Sequence, residues 1–378
     1  MNRESGAAVA IVGAGLIGLS IAYELAGRGA SVRVVDAREP ARAASWAGAG
    51  MLAPYTESIA SHEFEAFCAE SLALYPRFVN ALREQGGVDA RLHLDGIIEA
   101  AYDDGDEARL RARVADLAVR GVAARWITRD EAHAFEPALG ASVRGAALTE
   151  TEGHVDNRRL GRALRAACER RGVRIDENAG DVSIEADARR VLGVRGPDGF
   201  IPADAVVNAA GAWAADLGGV PENARVPVVP VKGQMLALAM PRGLVRRVVW
   251  VPGAYLVPRD DGRLLVGATV ESAGFDVRVT ARGVRTLLDA ALAALPALAD
   301  LTVAETWAGL RPGSPDGLPF IGATALGGYF VASGHYRNGI LLAPATAVLV
   351  ADVIEDRSSG IDAFSPRRDD GARTPAAK

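Results

Sequence analysis

Apolar and polar positions alternate in distinct periods along the chain, and the first periodic stretch is the most informative. A short apolar run, Ala7 to Val12, leads into Gly13-Ala14-Gly15-Leu16-Ile17-Gly18, an uncharged helical stretch, a second apolar run and Asp36. Strand, glycine turn, helix, strand and terminal acid in that order predict a dinucleotide-binding βαβ unit. Gly13 permits the tight turn, Gly15 lets backbone approach a pyrophosphate, and Gly18 lets helix pack on strand. Helix-start amides would hold the pyrophosphate. Asp36 is placed to accept hydrogen bonds from a ribose diol. An export signal is the competing reading of this stretch. Glu4 in the would-be basic region, and Glu24 and Arg28 directly after the apolar stretch, argue against it.

Further along, Phe64, Phe67, Leu72, Tyr75, Phe78, Val79 and Leu82 recur at three- and four-residue steps, predicting a helix over Glu63 to Arg83. Leu110, Val114 and Leu117 mark another between Glu107 and Arg120, and Asp156 is placed to cap a helix from Asn157 to Arg171. Ala205 to Asn208 is a strand running into Ala209-Ala210-Gly211-Ala212, small enough to lie under a nucleotide. Val231 to Ala239, Arg247 to Val257 and Arg263 to Val270 are β-rich runs, and Asp260-Asp261-Gly262 signals a hairpin between the last two. Near the end come a strand, Tyr329 to Ala332, a glycine turn, Gly334 to Gly339, and a helix from Ile340. Ser358 to Lys378, charged and with two prolines, is expected to fray.

These elements predict an α/β protein, α+β overall: a Rossmann-type cofactor domain interleaved with an antiparallel-sheet substrate domain. Residues 1–85, 140–225 and 318–365 are assigned to the first domain, 86–139 and 226–317 to the second, and 366–378 to a flexible tail.

Composition narrows the classes. A net charge of -5 without a basic block offers no footprint for nucleic acid or anionic lipid. The longest late apolar stretch, Gly339 to Ala351, falls short of the ~20 residues that span a bilayer. Cys68 and Cys168 are too few and too far apart for a disulfide framework, so a reducing cytoplasm is expected. His62, His93, His133, His154 and His335 show no ligand spacing, and no metal is assigned.

The candidate chemistry lies late in the chain. Trp307 to Gly317 reads as a Gly/Pro-rich turn carrying Arg311, and Gly334 to Leu341 as a helix start carrying Arg337. Either guanidinium offers a planar fork to a carboxylate; the competing reading pairs each with a local acid. Lys232 reads as a solvated or structural residue in a strand-start turn.

Together these segments resemble the D-amino acid oxidase superfamily of FAD-dependent amino-acid oxidases, most closely its glycine oxidases. The resemblance runs from about Ala7 to Ile354. It rests on the glycine turn with Asp36, the Ser45 to Pro54 segment, Val231-Lys232-Gly233-Gln234, Tyr255-Leu256-Val257-Pro258-Arg259, the Trp307 to Gly317 segment and Gly334-His335-Tyr336-Arg337-Asn338-Gly339.

The resemblance implies non-covalent FAD. Leu16, Ile17, Asp36 and Ala37 would surround its ADP half, with Val182 touching the adenine through its backbone. Arg42, Ala43, Ala44, Ser45, Ala49, Gly50 and Met51 would follow the pyrophosphate and flavin edge. His335, Tyr336, Arg337, Asn338, Gly339, Ile340 and Leu341 would line the isoalloxazine. Arg311 would be the principal anchor of the substrate carboxylate, with Arg337 and Tyr255 beside it.

The implied reaction is oxidative deamination of glycine or another small amino acid, with O2 reduced to H2O2 and the imine feeding thiamine's thiazole. A homo-oligomer is expected. A D-amino-acid dehydrogenase, a sarcosine or D-amino-acid oxidase, and a non-catalytic flavoprotein are the alternatives. Val270 departs from the pattern, standing where close relatives often carry a methionine that trims the substrate pocket.

Overall fold

The computed structural model describes residues 8–57, 61–358 and 360–368. Its first sheet has six strands in the order Phe320–Ala323, Tyr329–Ser333, Ala205–Asn208, Ala8–Val12, Ser31–Val35 and Arg174–Asp176. All neighbours run parallel except the first pair, which is antiparallel. Ala8–Val12 is central because both of its faces are apolar and covered, as a parallel strand requires. Three helices, Leu16–Gly27, His62–Gly86 and Ala343–Ile354, close one face around Leu19, Leu25, Tyr75, Leu82 and Val350. The helix Asn157–Arg170 joins them, capped at Arg159 N–H by the Asp156 carboxylate as expected.

The second sheet has eight strands: Thr302–Gly313, Val229–Ala239, Arg263–Gly267, Ala254–Pro258, Val248–Val251, Ile97–Ala101, Gly145–Thr149 and Ala124–Thr128. It is antiparallel except where Val248–Val251 meets Ile97–Ala101. Strand period 2 sorts its side chains between two layers. Leu236 and Leu238 face the cluster completed by Leu287 and Ala291 of the helix Ala281–Ala294. Met235 and Ala237, their neighbours in sequence, face Ala47, Ala49 and Ala53. That second contact lays the eight-stranded sheet against the small-residue segment that follows the βαβ unit.

Several expectations are corrected. The run Arg247 to Val257 is two strands, because Pro252 lacks a ladder donor and Gly253 adopts φ 82° to turn the chain. Trp307 to Gly313 belongs to a twelve-residue strand paired along Val229–Ala239, so the Gly/Pro turn starts only after Gly313. The last helix starts at Ala343, and His335 to Leu342 form turns instead. Gly145–Thr149, assigned to the cofactor part, is an interior strand of the eight-stranded sheet. A three-stranded antiparallel sheet over residues 183–202 went unforeseen, since its half-exposed strands carry little periodicity.

The end of the chain is the largest departure. Phe364 is fully buried against Phe64 and Phe67, with ring centroids 5.8 and 5.1 Å away. Arg368 pairs with Asp316 and lies 3.8 Å over the Phe320 ring. A single aromatic anchor outweighs the polar composition around it. The rest of the expected tail, 369–378, lies outside the described residues. Among the described residues no helix is long and apolar enough to cross a membrane.

Phe364→Ala should lower unfolding stability by about 3–5 kcal/mol through lost transfer energy and an unfilled cavity. Denaturant unfolding of the variant measures it; an unchanged midpoint would show that residues 360–368 are not part of the core.

Candidate active site

The glycine turn sits at the carboxyl end of the central strand. Gly13 has φ 109°, and a Cβ there would come within 2.4 Å of the Ala209 carbonyl oxygen. A Cβ on Gly18 would lie 1.9 Å from the Gly13 oxygen, so helix and strand close only without one. Gly15 instead borders open space beside Ser45, whose hydroxyl accepts from Leu16 N–H at 2.9 Å. The Asp36 carboxylate accepts from Ala14 N–H at 2.6 Å and Arg38 N–H at 2.9 Å. Burial pushes its pKa up, against those two hydrogen bonds. Ala37 is exposed beside it.

Beyond it, a cavity of about 340 Å³ runs between the two sheets. Its walls include Gly15, Leu16, Ile17, Ala44, Ser45, Ala49, Gly50 and Met51 on one side. Gly211, His335, Tyr336, Arg337, Asn338, Gly339 and Ile340 form another wall, and Tyr255 and Arg311 close the far end.

The two backbone segments along this cavity share one polarity. The Ser45 and Trp46 carbonyls accept from Asn157 Nδ2 at 2.7 and 3.1 Å, Ala47 from Trp307 Nε1 at 2.9 Å and Ala49 from Arg259 Nη2 at 2.8 Å. Val155 N–H reaches the Gly50 carbonyl at 2.9 Å. Across the cavity the Ile340 and Leu341 carbonyls accept from the Tyr75 and Ser71 hydroxyls at 2.5 and 2.6 Å. None of these donor residues lines the cavity. The N–H groups of Ala49, Gly50, Gly339, Ile340 and Leu341 bond to no described residue, although all but that of Gly339 belong to buried residues.

At the far end, Arg311 leaves its strand over Gly233, where a Cβ would meet both terminal guanidinium nitrogens at 2.4 Å. Its Nη1 donates to the carbonyls of Lys232 at 3.3 Å and Thr269 at 3.1 Å. Arg337 arrives on the turn after Ser333, which is tied to the Arg311 strand by Tyr336 N–H donating to Pro312 O at 2.8 Å. Tyr336 adopts φ 50° to make that turn. Among the described residues no carboxylate lies within 4.0 Å of either guanidinium, which removes the local-acid reading. Tyr255 reaches Met235 Sδ at 3.4 Å and packs on Trp250 with ring centroids 5.6 Å apart.

Glu57 was not foreseen. It is the one carboxylate among the described lining residues; burial pushes its pKa up, against the pull of Arg337 and Arg311. The polar run Tyr55-Thr56-Glu57 gives no periodic signal that could have singled it out.

Other sequence-nominated residues lie elsewhere. The Arg42 side chain is solvated and paired with Glu39 at 3.2 Å, and Ala43 caps the short helix Ala44–Ala47. Gly13, Gly18 and Leu341 are packing residues behind the wall. Val182 packs at the edge of the cluster around Ile184 and Val194 and does not line the cavity. Val270 is 53% exposed and is not among the residues lining the cavity. Lys232 is 2% exposed in mid-strand, 3.6 Å from Glu271, not solvated in a turn.

The residues fit a flavin dinucleotide. The glycine turn and helix start suit a pyrophosphate. Buried amides without a partner in the chain are rare and point to a ligand that accepts from them. The small residues 44–50 allow a flat group to lie against backbone.

The chain matches the family model described as FAD dependent oxidoreductase (DAO) over residues 8–353. It is 40% identical over 371 residues to the bifunctional protein ThiO/ThiG of Synechocystis sp., covering 95% of this chain and 54% of that protein. The chain therefore spans about half the length of that relative. It is 38% identical over 356 residues to glycine oxidase of Pseudomonas aeruginosa, covering 94% of this chain and 96% of that one. The crystal structure of glycine oxidase from Geobacillus kaustophilus superimposes with a TM-score of 0.91 at 36% identity, over 96% of this chain and 99% of that one.

His335 is 2% exposed, its Nε2 lies 3.1 Å from Thr346 Oγ1, and burial pushes its pKa from 6.5 down to about 3. Its imidazole is therefore neutral at neutral pH and is no acid. Because the folded value is depressed, the unfolded chain binds the proton first, and stability falls as pH drops below 6.5. His335→Gln should remove that term, narrowing the wild-type advantage by about 2 kcal/mol between pH 6.5 and 5. Denaturant unfolding of both proteins across this range checks it; parallel pH profiles would contradict it.

Proposed function

The chain belongs to the DAO family of FAD dependent oxidoreductases, and on that premise we propose that it oxidises the Cα–N bond of glycine or a similarly small amino acid. The carrying observation is two guanidiniums, Arg311 and Arg337, that line the cavity with Tyr255 and have no carboxylate within 4.0 Å among the described residues. FAD, when bound, supplies the chemistry as a two-electron acceptor that takes hydride from Cα and passes the electrons to O2, giving H2O2.

Everything else falls to the chain's own residues. Arg311, braced by two carbonyls and seated over Gly233, presents a fork to the substrate carboxylate. Arg337 and the Tyr255 hydroxyl complete the clamp. Glu57, the one carboxylate on the described lining, lies near enough for both guanidiniums to pull its pKa down against burial, and the arginines keep an excess of positive charge that suits a substrate carboxylate. Met235, Trp250 and Ala268 wall off the reacting carbon from water, which strengthens each charged contact. The Ile17 amide with Asp36 would hold the ADP half, with Leu16 beside it, and Ala49, Gly50, Gly339 and Ile340 the flavin half. The ThiO/ThiG relative supports a product imine that enters thiamine's thiazole.

Exposed Val270, Phe275, Val277 and Val279 on one loop favour a second reading, a dehydrogenase that hands electrons to a membrane quinone. Peroxide formed per glycine consumed separates the two: near one supports the oxidase, near zero the dehydrogenase.

The purified protein should be yellow and should bleach when glycine is added without oxygen. A colourless protein, or a flavin left oxidised by glycine, sarcosine and small D-amino acids, would overturn the proposal. Arg311→Ala should cost about 2–5 kcal/mol of carboxylate binding, cutting kcat/KM at least about thirtyfold. Unchanged kinetics would exclude Arg311 as the anchor.

A further inference from the structure

Arg259 is a buried charged side chain that the proposed reaction does not use. It is 6% exposed, and among the described residues no carboxylate lies within 4.0 Å of its guanidinium. Burial pulls its pKa down to about 10, with Arg263 and Arg158 adding to the effect and Asp156 opposing it. It stays charged at neutral pH. A buried cation held only by neutral acceptors destabilises a fold unless something else is gained.

Its bonds identify what is gained. Nη2 donates to the Ala49 carbonyl at 2.8 Å and to Asn157 Oδ1 at 3.0 Å, while Nη1 reaches His154 Nδ1 at 2.9 Å. Since arginine only donates, His154 accepts through Nδ1 and carries its proton on Nε2; burial keeps that ring neutral by pushing its pKa well below 6.5. Asn157, oriented by Arg259, turns its amide onto Ser45 O and Trp46 O. One guanidinium at the end of the strand Ala254–Pro258 thereby orders the carbonyls of 45, 46 and 49, directly or through Asn157. A Cβ on Gly50 would stand 3.2 Å from Nη2, so the contact is tight.

We propose that Arg259 is a positioning residue for the cofactor site, holding the carbonyl of the Ala49–Gly50 peptide so that the Gly50 amide stays turned toward the cavity. The inference rests on the FAD reading above. Lysine can supply the charge but cannot span Ala49, Asn157 and His154 in one plane.

The test compares holoenzyme, and apoprotein made from it, for wild type, Arg259→Lys and Arg259→Gln. FAD affinity is read by flavin fluorescence, the two-electron potential of bound FAD by dye equilibration, and folding by circular dichroism and melting of the apoprotein. The expected result is at least tenfold weaker FAD binding in Arg259→Gln, partial recovery in Arg259→Lys, and a more negative potential in both. Lower melting with unchanged affinity and potential would mean a purely structural residue and overturn the proposal. Should Arg259→Gln fail to fold, Arg259→Lys and the wild type decide. FAD added to wild-type apoprotein should slow hydrogen exchange at Gly50 at least tenfold, and no slowing overturns the proposal. A wild type that takes up no FAD sinks the functional reading itself, whereas one that binds FAD as tightly as its variants sinks only the role of Arg259.

Discussion

A peptide group that offers its N–H to a ligand must bury its C=O on the opposite side, and a buried carbonyl needs a donor. The rest of this structure depends on meeting that demand along two walls of one cavity. Arg259 does so for the Ala49–Gly50 peptide and Tyr75 for the Ile340–Leu341 peptide, while Asn157, Trp307 and the Val155 amide hold the neighbouring carbonyls of 45–47 and 50, and Ser71 that of 341. These donors come from two helices, two strands of the eight-stranded sheet and the segment entering Asn157–Arg170. The two sheets are therefore joined through the site, and the tertiary fold and the site's polarity are one arrangement.

The same logic governs the charged end of the cavity. Arg311 and Arg337 repel each other, and neither is relieved by a carboxylate at ion-pair distance among the described residues. The long strand pairing with Val229–Ala239 and the Tyr336–Pro312 bond hold them there. Glu57 tempers the charge without neutralising it. Repulsion preserved by the fold is what a carboxylate would relieve, and the proposed clamp requires it to be in place beforehand.

How legible this was in the sequence varies with the range of the interaction that decides each feature. The glycine turn, the helix with Phe64, Phe67 and Tyr75, and the Asp156 cap are local patterns, and all were readable. Arg311 and Arg337 were found as residues but misplaced as structure. Gly and Pro around Arg311 signal a turn, yet seven paired positions from Trp307 to Gly313 make most of that segment a strand. Val270 was nominated by the resemblance alone, and its 53% exposure could not be read from the sequence because strand alternation ends at Gly267.

By itself the sequence determined the nucleotide turn, the parallel and antiparallel halves and the residue types able to clamp a carboxylate, because each follows from spacing and chemistry within a short window. Only the tertiary structure decided which backbone amides are left without partners, that Glu57 faces the arginines, and that Arg259 and Phe364 belong to the interior. Those facts depend on contacts between segments far apart in the chain, where burial and the supply of donors, not local propensity, set the outcome.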